Sequence, residues 1–235
     1  MGAKYRRILL KVSGEVLAGD KKTGIDFEKV NETANVIRRV REQGVEVAIV
    51  VGGGNFWRGR SSGEMDRTRA DQMGMLATVL NALALQDELE KLGVPAEVFN
   101  GLDIQRVGRP FNKFEAVKAL EDNKVVIFGC GTGNPFFTTD TGAALRASEI
   151  GADIFFKATN VDGVNDKDPN KYADAVKYDT ITFDEILEKR LNVMDNTAAA
   201  MALNNHLPVL VFNLNDPENV IRAVEGEAIG TVVTF

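Results

Sequence analysis

Four glycine-rich or polar turns follow predicted strands, and their residue types suit phosphate binding. The turns are Lys-Val-Ser-Gly at 11–14, Gly-Gly-Gly-Asn at 52–55, Gly-Cys-Gly-Thr-Gly-Asn at 129–134 and Lys-Ala-Thr-Asn-Val-Asp-Gly at 157–163. Glycine lets backbone N–H groups approach an anion closely, and a following helix adds a favourable dipole. One such turn would be weak evidence, because ordinary tight turns also use glycine. Four turns at one edge of a sheet favour a phosphate site.

Three cationic side chains are predicted at the same edge. Lys11 and Lys157 end strands, and Arg58 follows the glycine triplet. Taken singly, each is better explained as a solvated lysine or arginine at a strand end. Together they suit phosphoryl transfer, which needs cations to neutralise charge on the moving phosphoryl group. Asp140 opens a predicted helix, where it could cap the helix, orient a lysine or meet a magnesium–nucleotide complex. We take Lys11, Arg58, Asp140 and Lys157 as the candidate catalytic residues.

Two segments of the sequence partly match known nucleotide-binding motifs, but neither match is complete. Residues 54–61 have the spacing of a P-loop, but Arg60 replaces the lysine and no helix pattern follows. Residues 129–133 begin like a dinucleotide-binding fingerprint, but Asn134 stands where the third glycine belongs. The sequence therefore argues against a P-loop enzyme and against a Rossmann dehydrogenase.

The elements that position these turns alternate along the chain. Strands are predicted near residues 5–12, 45–51, 94–99, 125–128, 154–156, 209–212 and 231–234, and helices near 26–43, 70–92, 113–121, 141–150, 183–190, 196–204 and 217–224. Asp26 is the predicted N-cap of the first helix, and Thr182 with Glu185 forms a capping-box pattern. The alternation predicts an α/β fold with an open, mainly parallel central sheet and helices on both faces. We interpret residues 1–235 as a single domain.

Composition excludes several classes of protein. The chain carries 28 lysines and arginines against 34 aspartates and glutamates, a net charge of −6, which argues against nucleic-acid binding through a basic stripe. No run of 18 apolar residues occurs and no signal-peptide cleavage site follows the N-terminus, so we expect no membrane association. The single cysteine, Cys130, fits a reducing compartment and predicts a cytoplasmic protein.

Longer motifs carry a family resemblance. They are Lys-Val-Ser-Gly-Glu at 11–15, Gly-Gly-Gly-Asn at 52–55 with Arg58, Asp-Gln-Met-Gly-Met-Leu-Ala-Thr at 71–78, Gly-Thr-Gly-Asn-Pro-Phe-Phe-Thr-Thr-Asp at 131–140, Lys-Ala-Thr-Asn-Val-Asp-Gly-Val at 157–164 with Asp168-Pro169, and Val-Met-Asp at 193–195. With them the chain resembles, over essentially its whole length, the bacterial uridylate (UMP) kinases of the amino-acid kinase superfamily. Residues 131–140 are the most specific part. The resemblance implies a three-layer sandwich and transfer of the γ-phosphoryl group of ATP to UMP, giving UDP and ADP, in pyrimidine nucleotide biosynthesis.

The resemblance also implies which residues bind each nucleotide. ATP binding falls to Lys11, Val12, Ser13, Gly14, Gly54 and Arg58 on the phosphate side and to Thr159, Asn165 and Asp168 on the adenosine side. UMP binding falls to Gly53, Asp71, Thr132, Gly133, Asn134, Pro135, Phe136, Phe137, Thr138 and Thr139. The N-terminal part of the domain is then mainly the acceptor side and the C-terminal part mainly the ATP side. Asp71 is expected to accept hydrogen bonds from the ribose hydroxyls.

Cofactor, effectors and assembly follow from the same resemblance. Mg²⁺ is expected to arrive with ATP and to be held by the nucleotide phosphates, with no dedicated protein ligands. GTP and UTP are the implied effectors, and a homohexamer is the implied assembly. Two alternatives stay open: a kinase of the same fold that forms an acyl or carbamate phosphate, and a nucleotide-binding protein without catalysis. Residues 131–140 argue against the first, and Lys11, Asp140 and Lys157 argue against the second.

Overall fold

A nine-stranded sheet forms the centre of the protein, in a computed structural model that describes residues 2–58, 63–167, 171–172, 174–191 and 193–235. The strands are β1 Arg7–Val12, β2 Glu46–Val51, β3 Ala96–Asn100, β4 Arg109–Pro110, β5 Val125–Gly129, β6 Ile154–Thr159, β7 Thr180–Thr182, β8 Val209–Asn213 and β9 Gly230–Thr234. Their order is β4-β3-β5-β2-β1-β6-β8-β9-β7. Within it, β8 and β9 pair antiparallel and the other neighbours pair parallel. The predicted open, mainly parallel sheet is confirmed.

Helices cover both faces of this sheet, as the alternating pattern predicts. They are α1 Gly14–Ala18, α2 Phe27–Glu42, α3 Arg67–Lys91, α4 Lys113–Glu121, α5 Thr139–Ile150, α6 Phe183–Lys189, α7 Asn196–Asn204 and α8 Asn219–Val224. One apolar core lies between the sheet and α2, α3 and α8. A second lies between the opposite face and α4, α5, α6 and α7. The result is three layers, with the sheet in the middle.

The alternation of side chains along β1 decides which layer each residue faces. Ile8, Leu10 and Val12 belong to the core under α2, whereas Leu9 belongs to the core under α5. Because the side-chain period of a strand is two residues, Lys11 faces the same layer as Leu9. Lys157 is the register partner of Lys11 on the neighbouring β6, so both lysines point toward the layer that contains α5.

Element ends agree with the sequence where a capping residue marks them. Asp26 caps α2 by accepting a hydrogen bond from the Glu28 N–H at 3.0 Å, and the predicted Thr182–Glu185 capping box is present at α6. The predicted start of α3 at residue 70 is wrong: the helix begins at Arg67, where Asp66 accepts from the Arg69 N–H. Its first turn is polar and exposed, so hydrophobic periodicity did not reveal it.

Short elements escaped prediction for a related reason. The helix α1 and the strands β4 and β7 are too brief to establish a hydrophobic period. The last predicted helix also starts later than expected, at Asn219 rather than residue 217. Among the described residues, no helix is both long enough and apolar enough to cross a membrane.

Candidate functional site

The four glycine-rich or polar turns lie along one edge of the sheet. They follow β5, β2, β1 and β6, which are consecutive neighbours in the strand order and pair in parallel. The carboxyl ends of parallel strands meet at the same edge, which is where open α/β sheets bind ligands. Two of the turns approach so closely that a Cβ on Gly14 would stand 2.8 Å from the Gly52 carbonyl oxygen. The predicted common edge is therefore confirmed.

Asp140 bridges two lysines at this edge. The Lys11 Nζ atom lies 3.1 Å from Asp140 Oδ1, and the Lys157 ammonium donates to Asp140 Oδ2. The two lysines face the same side of neighbouring strands, and Asp140 sits in the first turn of α5 above them. Three distant parts of the sequence therefore meet in one ion-paired cluster, which we call the lysine–aspartate cluster (Lys11, Asp140 and Lys157).

Burial and charge act in opposite directions within this cluster. Burial lowers the pKa of Lys157 below its ordinary value; the neighbouring Lys11 lowers it further, whereas the attraction of Asp140 raises it. Burial would raise the pKa of Asp140, but the attraction and hydrogen bonds of Lys11 and Lys157 outweigh it and hold that pKa below the ordinary range. Asp140 is thus an ionised counter-charge that favours the protonated form of Lys157. Two cationic groups against one carboxylate suit the binding of an anion.

A second carboxylate fixes the start of α5. Asp195 accepts from the Thr141 hydroxyl at 2.9 Å, from the Thr138 hydroxyl, and from the Ala198 N–H at the start of α7. Thr138 in turn caps α5 by accepting from the Asp140 N–H at 3.1 Å. Asp195 therefore ties the turn that carries Asp140 to a helix much later in the chain. Its position directly before α7 is the sequence signal for its capping role.

Arg58 lies at the same edge but outside the lysine–aspartate cluster. Its guanidinium pairs with Glu15 in α1, and both side chains are more than half exposed. The Arg58 Nε atom would be 3.9 Å from a Cβ built on Gly54, so the side chain lies beside the last glycine of the triplet. The structure therefore brings Arg58 to the turns at 11–14 and 52–55, as predicted, with Glu15 as its ion partner. Sequence reasoning did not find that partner.

One cavity collects most of the predicted acceptor residues. It measures about 230 Å³ and is lined by Gly53, Asp71, Thr132, Asn134, Phe137, Thr138 and Thr139 among others. Gly133, Pro135 and Phe136 belong to the same loop but not to the lining. Gly133 has a φ of 78°, and a Cβ there would stand 2.3 Å from the Gly101 carbonyl oxygen, so only glycine fits.

A larger cavity lies on the other side of Asp140. It measures about 750 Å³, and its lining includes Asp140, Lys157, Thr159, Asn165 and Asp195. Thr138 lines both this cavity and the acceptor cavity, so the two spaces meet beside the lysine–aspartate cluster. Of the residues predicted on the adenosine side, Asp168 lies outside the described residues.

A third cavity, of about 410 Å³, lies on the opposite face of the sheet. Its floor is formed by buried apolar residues such as Leu10, Val36 and Val220, and it opens at the edge beside Ser13 and Thr159. Lys11, Val12 and Ser13, predicted to contact phosphates, line this space rather than the larger one. The predicted ATP-side residues are thus not gathered in one cavity: Thr159 lines both this cavity and the larger one, Asn165 lines the larger one, and Gly54 lines the acceptor cavity.

Two buried amides that sequence reasoning did not place hold the glycine triplet against α3. Asn55 donates to Asn81 Oδ1 at 3.0 Å, and Asn81 donates to Asn55 Oδ1 and to the Gly52 carbonyl, each at 2.7 Å. Both side chains are almost completely buried. The available signal was that Asn81 interrupts the apolar run of residues 73–85. A polar residue in such a run predicts a buried hydrogen-bond partner.

Known proteins share this architecture over nearly the full chain. The structure is similar to that of the UMP kinase from Bacillus anthracis, with 34% sequence identity, 98% of this chain and 96% of that chain covered, and a TM-score of 0.95. It is also similar to the UMP kinase from Ureaplasma parvum, with 39% identity, coverage of 99% and 100%, and a TM-score of 0.94. The uridylate kinase from Archaeoglobus fulgidus is also similar, with 34% identity, 97% of this chain and 99% of that chain covered, and a TM-score of 0.76.

The sequence itself matches a family profile. Residues 6–213 match the amino acid kinase family, a span that runs from the start of β1 to the end of β8. That span contains Lys11, Asp140 and Lys157 together with all four turns at the sheet edge. The match covers most of the chain and agrees with the three-layer fold of its structural relatives, so the chain belongs to the amino acid kinase family.

Proposed function

We propose that this protein is a UMP kinase, which transfers the γ-phosphoryl group of ATP to UMP and yields UDP and ADP. One observation carries the proposal: the lysine–aspartate cluster lies where two cavities meet, in a chain that is 34–39% identical to two UMP kinases over 98–99% of its length. The two cavities offer separate spaces for a larger and a smaller nucleotide. Their meeting point offers cations to a phosphoryl group in transit.

The chemistry assigned to the cluster is electrostatic. Phosphoryl transfer spreads negative charge over the equatorial oxygens of the moving group, and preorganised cations stabilise that charge without reorganisation. We assign this role to Lys11 and Lys157, with Arg58 at the turns and Asp140 holding the two lysines in place. A phosphate oxygen of UMP is already a competent nucleophile, so no general base is required.

The binding assignments follow the sequence-based expectation, and the two sets of residues interleave along the chain. ATP is assigned to Lys11, Val12, Ser13, Gly14, Gly54, Arg58, Thr159, Asn165 and Asp168, and UMP to Gly53, Asp71 and residues 132–139. The acceptor cavity supports the second assignment, since its lining contains Gly53, Asp71 and five residues of that loop. We treat residues 1–235 as one domain that binds both nucleotides.

Magnesium fits this site as a partner of the nucleotide. Both oxygens of Asp140 face lysines, and within the described part of the chain no group of three or more His, Cys, Asp or Glu residues could hold a metal ion. We therefore assign Mg²⁺ to the ATP phosphates, which commonly supply its ligands in kinases. When bound there, it neutralises phosphate charge. The protein would contribute the positive charges of Lys11 and Lys157 to the same phosphates.

The activity is tested by measuring ADP release with UMP, CMP, dUMP and aspartate offered separately with MgATP. We expect turnover with UMP well above the other acceptors. The Lys11→Ala variant, purified in parallel, controls for contaminating kinases because it removes a proposed catalytic cation. Turnover with aspartate and none with UMP would assign the protein to a different activity within the fold. ATP binding without turnover of any acceptor would favour a non-catalytic role.

We also propose a homohexamer, with assembly supported by an exposed apolar stripe on α3. Met73, Leu76 and Leu80 are 39%, 48% and 48% exposed and share one helix face, which a second copy of this chain would cover. Light scattering should give six times the chain mass of 25.6 kDa. Leu76→Glu combined with Leu80→Glu should lower that mass. An unchanged mass would exclude this stripe as a contact.

Regulation and location complete the proposal. GTP and UTP are proposed as effectors, and adding each to the UMP-dependent assay should raise and lower the rate, respectively. A cytoplasmic location is proposed from the single, buried cysteine, Cys130, which suits a reducing compartment.

A further inference from the structure

The start of α3 meets the acceptor loop through Arg67, Asp71 and Phe136. Arg67 donates from Nε to Asp71 Oδ2 at 2.8 Å, and the backbone N–H of Phe136 donates to the same oxygen at 2.8 Å. The Arg67 guanidinium also lies over the Phe136 ring, 5.7 Å from its centroid. We call this arrangement the Arg67 clamp (Arg67, Asp71 and Phe136).

The segment that the clamp holds is conformationally demanding. Phe136 has a φ of 72°, in the left-handed region, which costs a residue with a bulky side chain free energy on the order of 1–2 kcal/mol. The residue is 64% exposed, so core packing does not keep it there. Such a conformation persists only where surrounding contacts enforce it. The contacts present are the hydrogen bond to Asp71 and the guanidinium above the ring.

We propose that Arg67 is a positioning residue of the acceptor site, which fixes the Asp71 carboxylate and the loop around Phe136 and thereby sets the preference for a ribonucleotide over a deoxyribonucleotide. The inference rests on the proposed function, because it takes the nucleotide acceptor as the occupant of this cavity. Both Arg67 and Asp71 line that cavity.

The expected selectivity follows from the geometry of a carboxylate. Arg67 and the Phe136 N–H both donate to Oδ2 of Asp71, which leaves the second oxygen of this carboxylate to accept from ribose hydroxyls. An immobilised carboxylate recognises a hydroxyl at a low entropic cost, whereas a mobile one must be ordered upon binding. Loss of the clamp should therefore weaken the binding of UMP more than the binding of dUMP, because dUMP has no 2′-hydroxyl. An arginine that only attracted the 5′-phosphate would affect both nucleotides equally.

The decisive comparison is Arg67→Gln against Arg69→Gln. Arg69 lies two residues away on the same turn of α3, is exposed and does not line the cavity, so its replacement removes the same charge without touching the clamp. For Arg67→Gln we expect the KM for UMP to rise about 3- to 10-fold, corresponding to one side chain that must be ordered on binding. We expect kcat and the KM for ATP to stay within about twofold.

Selectivity is the sharper readout. The ratio of kcat/KM for UMP to that for dUMP should fall about threefold in Arg67→Gln and stay unchanged in Arg69→Gln. Trp57, the only tryptophan of the chain, lines the same cavity, so its fluorescence reports UMP binding independently of turnover. An unchanged ratio, or an equal effect of the two substitutions, would overturn the proposal.

A structural measurement keeps the test separate from the proposed function. Hydrogen exchange of the peptide that contains Phe136 should speed up in Arg67→Gln but not in Arg69→Gln, whatever the acceptor is. Phe136→Leu removes the ring under the guanidinium, and its effect should not add to that of Arg67→Gln in the double variant. Absence of UMP turnover in the wild type would sink the proposed function alone. Unchanged exchange in Arg67→Gln would sink the clamp alone.

Discussion

The proposed ATP side and the proposed acceptor side of this site are built from different structural features. On the ATP side, three charged side chains from β1, α5 and β6 meet with exposed fractions of 16%, 14% and 10%. On the acceptor side, backbone conformation dominates: Cys130, Gly131, Gly133 and Phe136 all have positive φ within one short loop. One side is organised by buried charge and the other by the shape of the chain.

The difference separates two tasks of a phosphoryl-transfer site. Charges that are fixed on strands keep their positions when the reaction develops negative charge, so they stabilise the transition state. A loop in which two non-glycine residues, Cys130 and Phe136, hold positive φ places small polar side chains around the adjoining cavity, which favours recognition of a ligand. Substitutions in the lysine–aspartate cluster should therefore act on kcat, and substitutions around the acceptor loop should act on KM.

The largest effect is expected from Lys11→Ala. Removing this cation takes away one preorganised charge of the lysine–aspartate cluster, and kcat should fall by roughly 10²–10³. The KM for UMP should change little, because Lys11 does not line the acceptor cavity. Steady-state kinetics gives both values, and thermal unfolding checks that the fold is intact. A kcat close to that of the wild type would remove Lys11 from the catalytic residues.

A smaller effect with a distinctive pH signature is expected from Asp140→Asn. Burial already lowers the pKa of Lys157, and Asp140 is the main group that raises it again. Lys157 loses its proton as the pH rises through its pKa, so loss of the carboxylate should move the basic limb of the kcat profile to lower pH. We expect kcat at neutral pH to fall roughly 10- to 100-fold.

Two controls accompany the pH measurement. Unfolding of Asp140→Asn by urea should show a loss on the order of 3 kcal/mol, because two largely buried cations lose their partner. Thr141→Val removes a hydroxyl that donates to Asp195 and leaves the charges of the cluster in place. It should therefore leave the basic limb where it is in the wild type, and a basic limb that does not move in Asp140→Asn would contradict the role given to the carboxylate.

The ATP side was more predictable from sequence than the acceptor side. Strand-end lysines can be located from hydrophobic runs, and parallel strands bring their ends to one edge, so the sequence predicts that Lys11 and Lys157 lie together. Asp140 was visible as a residue in the first turn of a helix. The sequence does not reveal whether Asp140 caps the helix or pairs with the lysines, because that choice depends on the distances between side chains.

The acceptor side resisted prediction because its contacts depend on unusual backbone and on pairs far apart in sequence. Phenylalanine normally avoids positive φ, so its presence at position 136 does not predict a turn with that backbone conformation. The Asn55–Asn81 pair joins a loop to the middle of a helix, and no local period encodes such a pair. Arg67 lies in a helical turn that carried no apolar pattern.

The smallest effect, and the one that defines the acceptor side, is expected from Asp71→Ala. Its carboxylate holds the Phe136 N–H and lines the acceptor cavity, so the KM for UMP should rise about tenfold while kcat at saturating UMP changes less than threefold. Arg69→Gln on the same helix is the matched control and should match the wild type. An effect confined to the KM for ATP would move Asp71 to the other nucleotide. A fall in kcat as large as that of Lys11→Ala would erase the division of labour between the two sides, because recognition and catalysis would then depend on the same group.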